Sequence, residues 1–146
     1  MKRLFYTFFV MLIMGGFLIP QTMAANYTTD YTVYYEDGSY AIITLDNDWK
    51  MHSNANTYRT YTYYDPLGQR CFAYTLNASF TYNGVTSNAD SCDYKAIIYR
   101  QGWDIASHSE YVSGNTAYGN ATFTGPNGQV RTASLTLTCD KNGNVT

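Results

Sequence analysis

From Phe72 to Tyr82 the chain alternates: Phe72, Tyr74, Leu76, Ala78, Phe80 and Tyr82 make an apolar row, while Thr75, Asn77, Ser79 and Thr81 make a polar one. A repeat of two sends successive side chains to opposite faces, so this run predicts a β-strand with one wet face. Val130 to Cys139 repeats the pattern, with Ala133, Leu135, Leu137 and Cys139 on one side and Thr132, Ser134, Thr136 and Thr138 on the other. Beyond residue 25 no segment carries an apolar repeat of 3.6 residues over three turns, which an amphipathic helix would require.

Turn-forming residues divide the chain at regular intervals. Glu36-Asp37-Gly38 and Asp65-Pro66-Leu67-Gly68 place Asp, Pro and Gly where β-turns favour them. Asn83-Gly84 predicts a two-residue hairpin, because both residues tolerate positive φ. Further breaks fall at Gly102, at Ser113-Gly114-Asn115 and at Gly125 to Gly128. The strands expected between them lie near 30–35, 39–45, 57–64, 70–82, 85–99 (with an interruption), 103–112, 116–124 and 129–139. One-sided strands need a second sheet to cover their apolar faces. The expected fold is therefore all-β: an antiparallel β-sandwich of about seven or eight strands, with a small β-barrel as the alternative.

The first residues follow a different logic. Lys2-Arg3, the uncharged apolar run from Leu4 to Pro20 and the triplet Thr22-Met23-Ala24 have the form of a secretory signal-peptide helix. Gly15, Gly16 and Pro20 interrupt the run at about the shortest length that spans a bilayer, which argues against an anchor. Two parts are expected: a signal peptide over 1–24 (cleavage after Ala25 being the close alternative) and a single β-sandwich domain over 25–146. The mature protein would be extracellular, without stable membrane insertion.

Removing the leader changes the charge. Of 146 residues nine are basic and eleven acidic; without Lys2 and Arg3 the net charge falls from −2 to about −4. With no Lys/Arg cluster, nucleic acid is a poor partner. All of the 16 tyrosines except Tyr6 belong to the mature part, and aromatic and β-branched residues suit a pleated, half-buried surface.

Three cysteines, Cys71, Cys92 and Cys139, would meet an oxidising compartment. A Cys92–Cys139 bridge would close a loop of about 47 residues, worth roughly 4 kcal/mol by loop entropy, and would leave Cys71 unpaired. Three reduced, buried thiols are the alternative. No Cys-x-x-Cys or His/Cys cluster suggests a metal site.

The phrases from Tyr34 to Tyr40, Tyr61 to Tyr64, Phe80 to Gly84, Ser113 to Ala117 and Leu135 to Asn144 resemble an uncharacterised family of small secreted proteins of Gram-positive, clostridia-like bacteria. The resemblance spans nearly the whole mature chain. It implies export, a β fold and a disulfide between Cys92 and Cys139, and it brings no activity, cofactor or catalytic residue. Cys71, where an aromatic residue is commoner, departs from the pattern.

Candidate chemistry is sparse. His52 and His108 are the only histidines. In the run His108-Ser109-Glu110, strand alternation lets His108 meet Glu110 but not Ser109, so no Ser-His nucleophile is expected there. Asp46 and Asp48, in what reads as a polar loop Asp46 to Trp49, have the residue type of a glycosidase acid and base, but equally that of a turn. Asp140, Asn142 and Asn144 are spaced like the start of a calcium loop that lacks its closing Glu.

Tyrosine remains as the unusual resource. Tyr58, Tyr61, Tyr63 and Tyr64 crowd the third strand, and with Trp49 they form a candidate binding face for a cell-wall glycan or a protein ligand. A Tyr/Thr cross-strand ladder that only stabilises the sheet is the competing reading. The expected protein is a secreted, monomeric, non-catalytic binding domain without cofactor; a bacteriocin-like antagonist and, further off, a small hydrolase are the alternatives.

Overall fold

The computed structural model describes residues 31–51 and 53–146; the side chains of residues 47–51 lie outside the description. So do the leader expected over 1–24, residue 30 of the first expected strand, and His52. Eight strands follow in chain order: β1 (Tyr31–Tyr34), β2 (Tyr40–Met51), β3 (Asn54–Tyr64), β4 (Arg70–Tyr82), β5 (Ser87–Ile98), β6 (Asp104–Ser113), β7 (Thr116–Thr124) and β8 (Val130–Thr138). Every strand pairs antiparallel with the next, except that the chain changes sheets between β5 and β6. A five-stranded sheet β1-β2-β3-β4-β5 thus faces a three-stranded sheet β6-β7-β8. This is the sandwich expected, not the barrel. Among the described residues no helix is long and apolar enough to cross a membrane.

Alternation decides the core. On β4 the row from Phe72 to Phe80 is buried, and on β8 Ala133, Leu135, Leu137 and the following Cys139 are buried in turn. β8 packs over β3, β7 over β4 and β6 over β5. Phe72 lies at the centre, its ring 3.9 Å from Phe123 of the opposite sheet and 5.0 Å from Trp103. The Tyr99–Trp103 crossing hangs on Cys71, whose carbonyl accepts from the N–H groups of Tyr99 and Arg100.

Three loops share one turn. In Tyr35–Ser39, Asp65–Gln69 and Asp140–Asn144 the first N–H donates to the fifth carbonyl, and the fourth residue is a glycine at positive φ, a conformation that needs no Cβ. In the last two, the leading Asp Oδ1 also accepts from the third and fifth N–H groups. The calcium-like spacing at Asp140 is therefore turn chemistry: Oδ2 accepts from Asn144 Nδ2, so both carboxylate oxygens serve the loop.

Three local expectations need correction. Asp46 to Trp49 is not a loop: β2 runs to Met51 and β3 begins at Asn54, because pairing of Asp46 with Tyr58 and Trp49 with Asn56 across a bulge overrides the turn-forming composition. The Asn83-Gly84 connection takes four residues, since Asn83 Oδ1 accepts from the N–H groups of Val85 and Thr86 and Asn83 N–H donates to Thr86 O. The interruption expected within 85–99 is only a bulge, where Asp90 has no opposite number between the pairs Ser79–Ser91 and Phe80–Ala89.

The expected Cys92–Cys139 bridge is not formed: none of the three cysteines is in a disulfide. The Cys139 carbonyl accepts from Ser87 Oγ at the first residue of β5. Cys92 lies five residues further along that strand, roughly 15 Å away at strand rise, whereas a disulfide needs Cα atoms within about 7 Å. Cys71 is buried in a bulge of β4, and burial raises the pKa of both Cys71 and Cys92, keeping them as thiols.

Candidate functional site

The outer face of the five-stranded sheet carries the alternate residues. Register places Thr62 beside Ala73, Thr60 beside Thr75, Tyr58 beside Asn77, and Asn56 beside Ser79 on β3 and β4. On β5, Asp93 and Ser91 continue the last two rows. Hydroxyls, amides and a carboxylate thus line up across three strands. There the face dips into a depression of about 390 Å³ lined by the side chains of Asn56, Tyr58, Asn77, Ser79, Ser91 and Asp93.

These side chains hold each other in place. Asn77 Nδ2 donates to Asp93 Oδ1 at 2.6 Å, and the Ser79 and Ser91 hydroxyls pair at 2.7 Å. Tyr58 OH donates to Asp46 Oδ2 at 2.7 Å, so the phenol is anchored from β2. Each bond ties neighbouring strands, and each leaves polar capacity over, because a carboxylate and a primary amide each make more than one bond. Among the described residues no Lys or Arg lines the depression.

An aromatic lane crosses the other end of the same face. Tyr34, Tyr40 and Tyr64 follow one another on β1, β2 and β3, with 6.1 Å between the first two ring centroids and 4.8 Å between the stacked rings of the second pair. The Arg70 guanidinium then sits 5.8 Å from the Tyr64 ring and 5.0 Å from the Tyr99 ring. Hydrogen bonding to the Tyr64 phenol raises the Arg70 pKa, so its charge is permanent. Ring faces inside the lane are occupied by their neighbours. What the lane offers outward is ring edges, phenol oxygens, a cation and the open rings of Tyr34 (77% exposed) and Tyr99 (46%).

The tyrosines proposed from sequence therefore divide. Tyr58 and Tyr64 lie on the outer face, one at the depression and one in the lane. Tyr61 (4% exposed) and Tyr63 (1%) belong to the core and cannot contribute to a binding face. Tyr61 OH shares a 2.6 Å hydrogen bond with Tyr35, and Arg131 Nε donates to Tyr63 OH. Burial pushes the Tyr61 pKa up, which keeps the phenol neutral. Trp49 pairs through its backbone with Asn56, and its side chain lies outside the described residues. Sequence reasoning missed Asn56, Asn77, Ser79, Ser91 and Asp93. Asn77 and Ser79 stand in the polar row of the Phe72–Tyr82 run; Asn56, Ser91 and Asp93 lie outside it and join them only through strand pairing.

His108 and Glu110 do meet, as strand alternation requires: Nδ1 lies 3.0 Å from Oε2. Glu110 Oε1 accepts from Tyr74 OH at 2.6 Å, and the His108 ring lies 3.9 Å from that of Tyr94. Gly119 stands opposite Glu110, and a Cβ there would lie 2.6 Å from Tyr74 OH. The group joins β4, β5 and β6 across the sandwich and accounts for itself as packing. Among the described residues no three His, Cys, Asp or Glu side chains come together as metal ligands.

Set against known protein families, curated proteins and solved structures, the chain matches none.

Proposed function

We propose that the protein is a secreted, non-catalytic binding protein that holds a neutral glycan at or near the cell envelope, on the outer face of its five-stranded sheet. The depression over β3, β4 and β5 carries this reading, because its lining of hydroxyls, amides and one carboxylate suits a polyol that both donates and accepts hydrogen bonds. A peptide fits less well. β3 and β4 have both backbone edges paired, so the site has no ladder for an added strand. Among the described residues no Lys or Arg lines the depression, which also disfavours an anionic polymer there.

Titration calorimetry of the purified protein against soluble neutral polysaccharides tests the reading. Binding is expected, weakened tenfold or more by Asn77→Ala, which removes the amide shared with Asp93 and lies at a half-exposed position. Equal affinity of the two proteins, or no binding to any neutral glycan, would sink it.

A further inference from the structure

We infer that the outer face reads a neutral glycan chain at two separate points and so selects its ligand by length; this rests on the glycan reading above. Tyr58 at the depression and Tyr64 in the aromatic lane stand on the same face of β3, six residues apart. At strand rise that is roughly 20 Å, longer than a disaccharide and within reach of a short oligosaccharide.

The ground between the two points is low and uninterrupted. It consists of Thr60 and Thr62 on β3 and of Thr75 and Ala73 on β4, with the Thr60 and Thr75 hydroxyls paired at 2.9 Å. No long side chain rises from these four positions to block a ligand running along the strands.

The two ends differ in chemistry. At the depression, carboxylate and amide oxygens accept from sugar hydroxyls. In the lane, the Arg70 guanidinium and the phenols donate to sugar oxygens, with Arg70 fixed between Tyr64 and Tyr99. A short oligomer reaches one end only. A longer one closes the second contact intramolecularly, at a high effective concentration.

A series of neutral β-linked glucose and N-acetylglucosamine oligomers, from two units to six, titrated into the purified protein tests this. Affinity is expected to rise on the order of tenfold or more once the oligomer spans the two points. Tyr64→Ala and the exposed Arg70→Ala should each weaken the longest oligomer several-fold more than the shortest, so that the length dependence flattens. Asn77→Ala should weaken every length. Thermal melts of each variant show that the domain is folded, and the Arg70 variant serves if Tyr64→Ala is not. Binding of all lengths with one affinity overturns the two-point reading alone; no binding at any length overturns the glycan reading and this inference together.

Discussion

The two faces of the five-stranded sheet come from the same strands and much the same residues, but they are held by different forces. On the inner face Tyr63, Phe72 and Tyr74 touch the second sheet or its crossing loop, and with Tyr61 they are almost wholly buried. On the outer face Tyr58, Tyr64, Asn77 and Asp93 hold each other by hydrogen bonds and ring contacts while keeping access to water. Tyr63 and Tyr64 are neighbours in sequence with identical side chains, and position parity alone makes one a core residue and the other a surface group. Residue type says what a side chain can do; register decides whether it meets a ligand.

The largest test of this contrast is a pair of truncations on β4. Phe72→Ala removes the ring that stacks on Phe123 and packs at a tilt against Trp103, and should lower the unfolding free energy by about 3–5 kcal/mol, a large share of what holds a domain of this size. Thr75→Ala, three residues on and facing outward, should change it by no more than about 0.5–1 kcal/mol. Denaturant unfolding of both variants gives the comparison directly. Similar losses from the two would mean that the outer face is as tightly packed as the inner, leaving no room for a ligand surface.

A smaller effect is expected where the inner face depends on a missing side chain. At Gly119 an added Cβ would lie 2.6 Å from Tyr74 OH and 2.9 Å from a Leu76 methyl, so Gly119→Ala should destabilise by about 1–3 kcal/mol. The clash is partly with a hydroxyl. Tyr74→Phe should therefore be less damaging in the Gly119→Ala protein than in the wild type, and a double-mutant cycle in denaturant measures the coupling. Strict additivity would show that the Tyr74–Glu110 bond, not the space over Gly119, sets the local packing.

How far the sequence led follows the same division. The apolar rows of β4 and β8 were plain, because a period of two needs no partner to be seen, and so the sandwich followed. Which tyrosines of β3 faced the core was not legible, since Tyr alternates there with Thr and Arg instead of with clear apolar residues. Only the pairing of Tyr63 with Phe72 and of Tyr61 with Tyr74 settles it. Asp46 to Trp49 and Asn83-Gly84 were misread for a shared reason: local turn preference was allowed to outweigh strand pairing in one case and a side-chain cap in the other. The depression was hidden because its residues come from three strands, and each taken singly is an ordinary polar position.

The smallest expected effect lies where the two faces are joined at one end of the sandwich. Arg131 of β8 pairs with Asp37 in the β1–β2 turn, donates to Tyr63 OH, and lies 5.1 Å from the Tyr35 ring. The Asp37 carboxyl is held below its ordinary pKa, first by the Ser39 hydroxyl and then by the Ser39 N–H, with Arg131 adding to the effect. A carboxyl whose pKa is lower in the folded state favours folding wherever it is ionised in both states, and that contribution disappears as pH falls through the folded value. Stability should thus be flat near neutrality and decline below about pH 4. Asp37→Asn should remove a share of that decline while lowering stability slightly at pH 7. The carboxyl is solvent-exposed and screened, so the difference should be small and should shrink further in high salt. Urea midpoints from pH 7 to pH 3, with and without the substitution, measure it. Parallel curves would mean that Arg131 closes the sandwich through Tyr63 and Tyr35 alone, which would place the whole of that end on the buried side of the comparison.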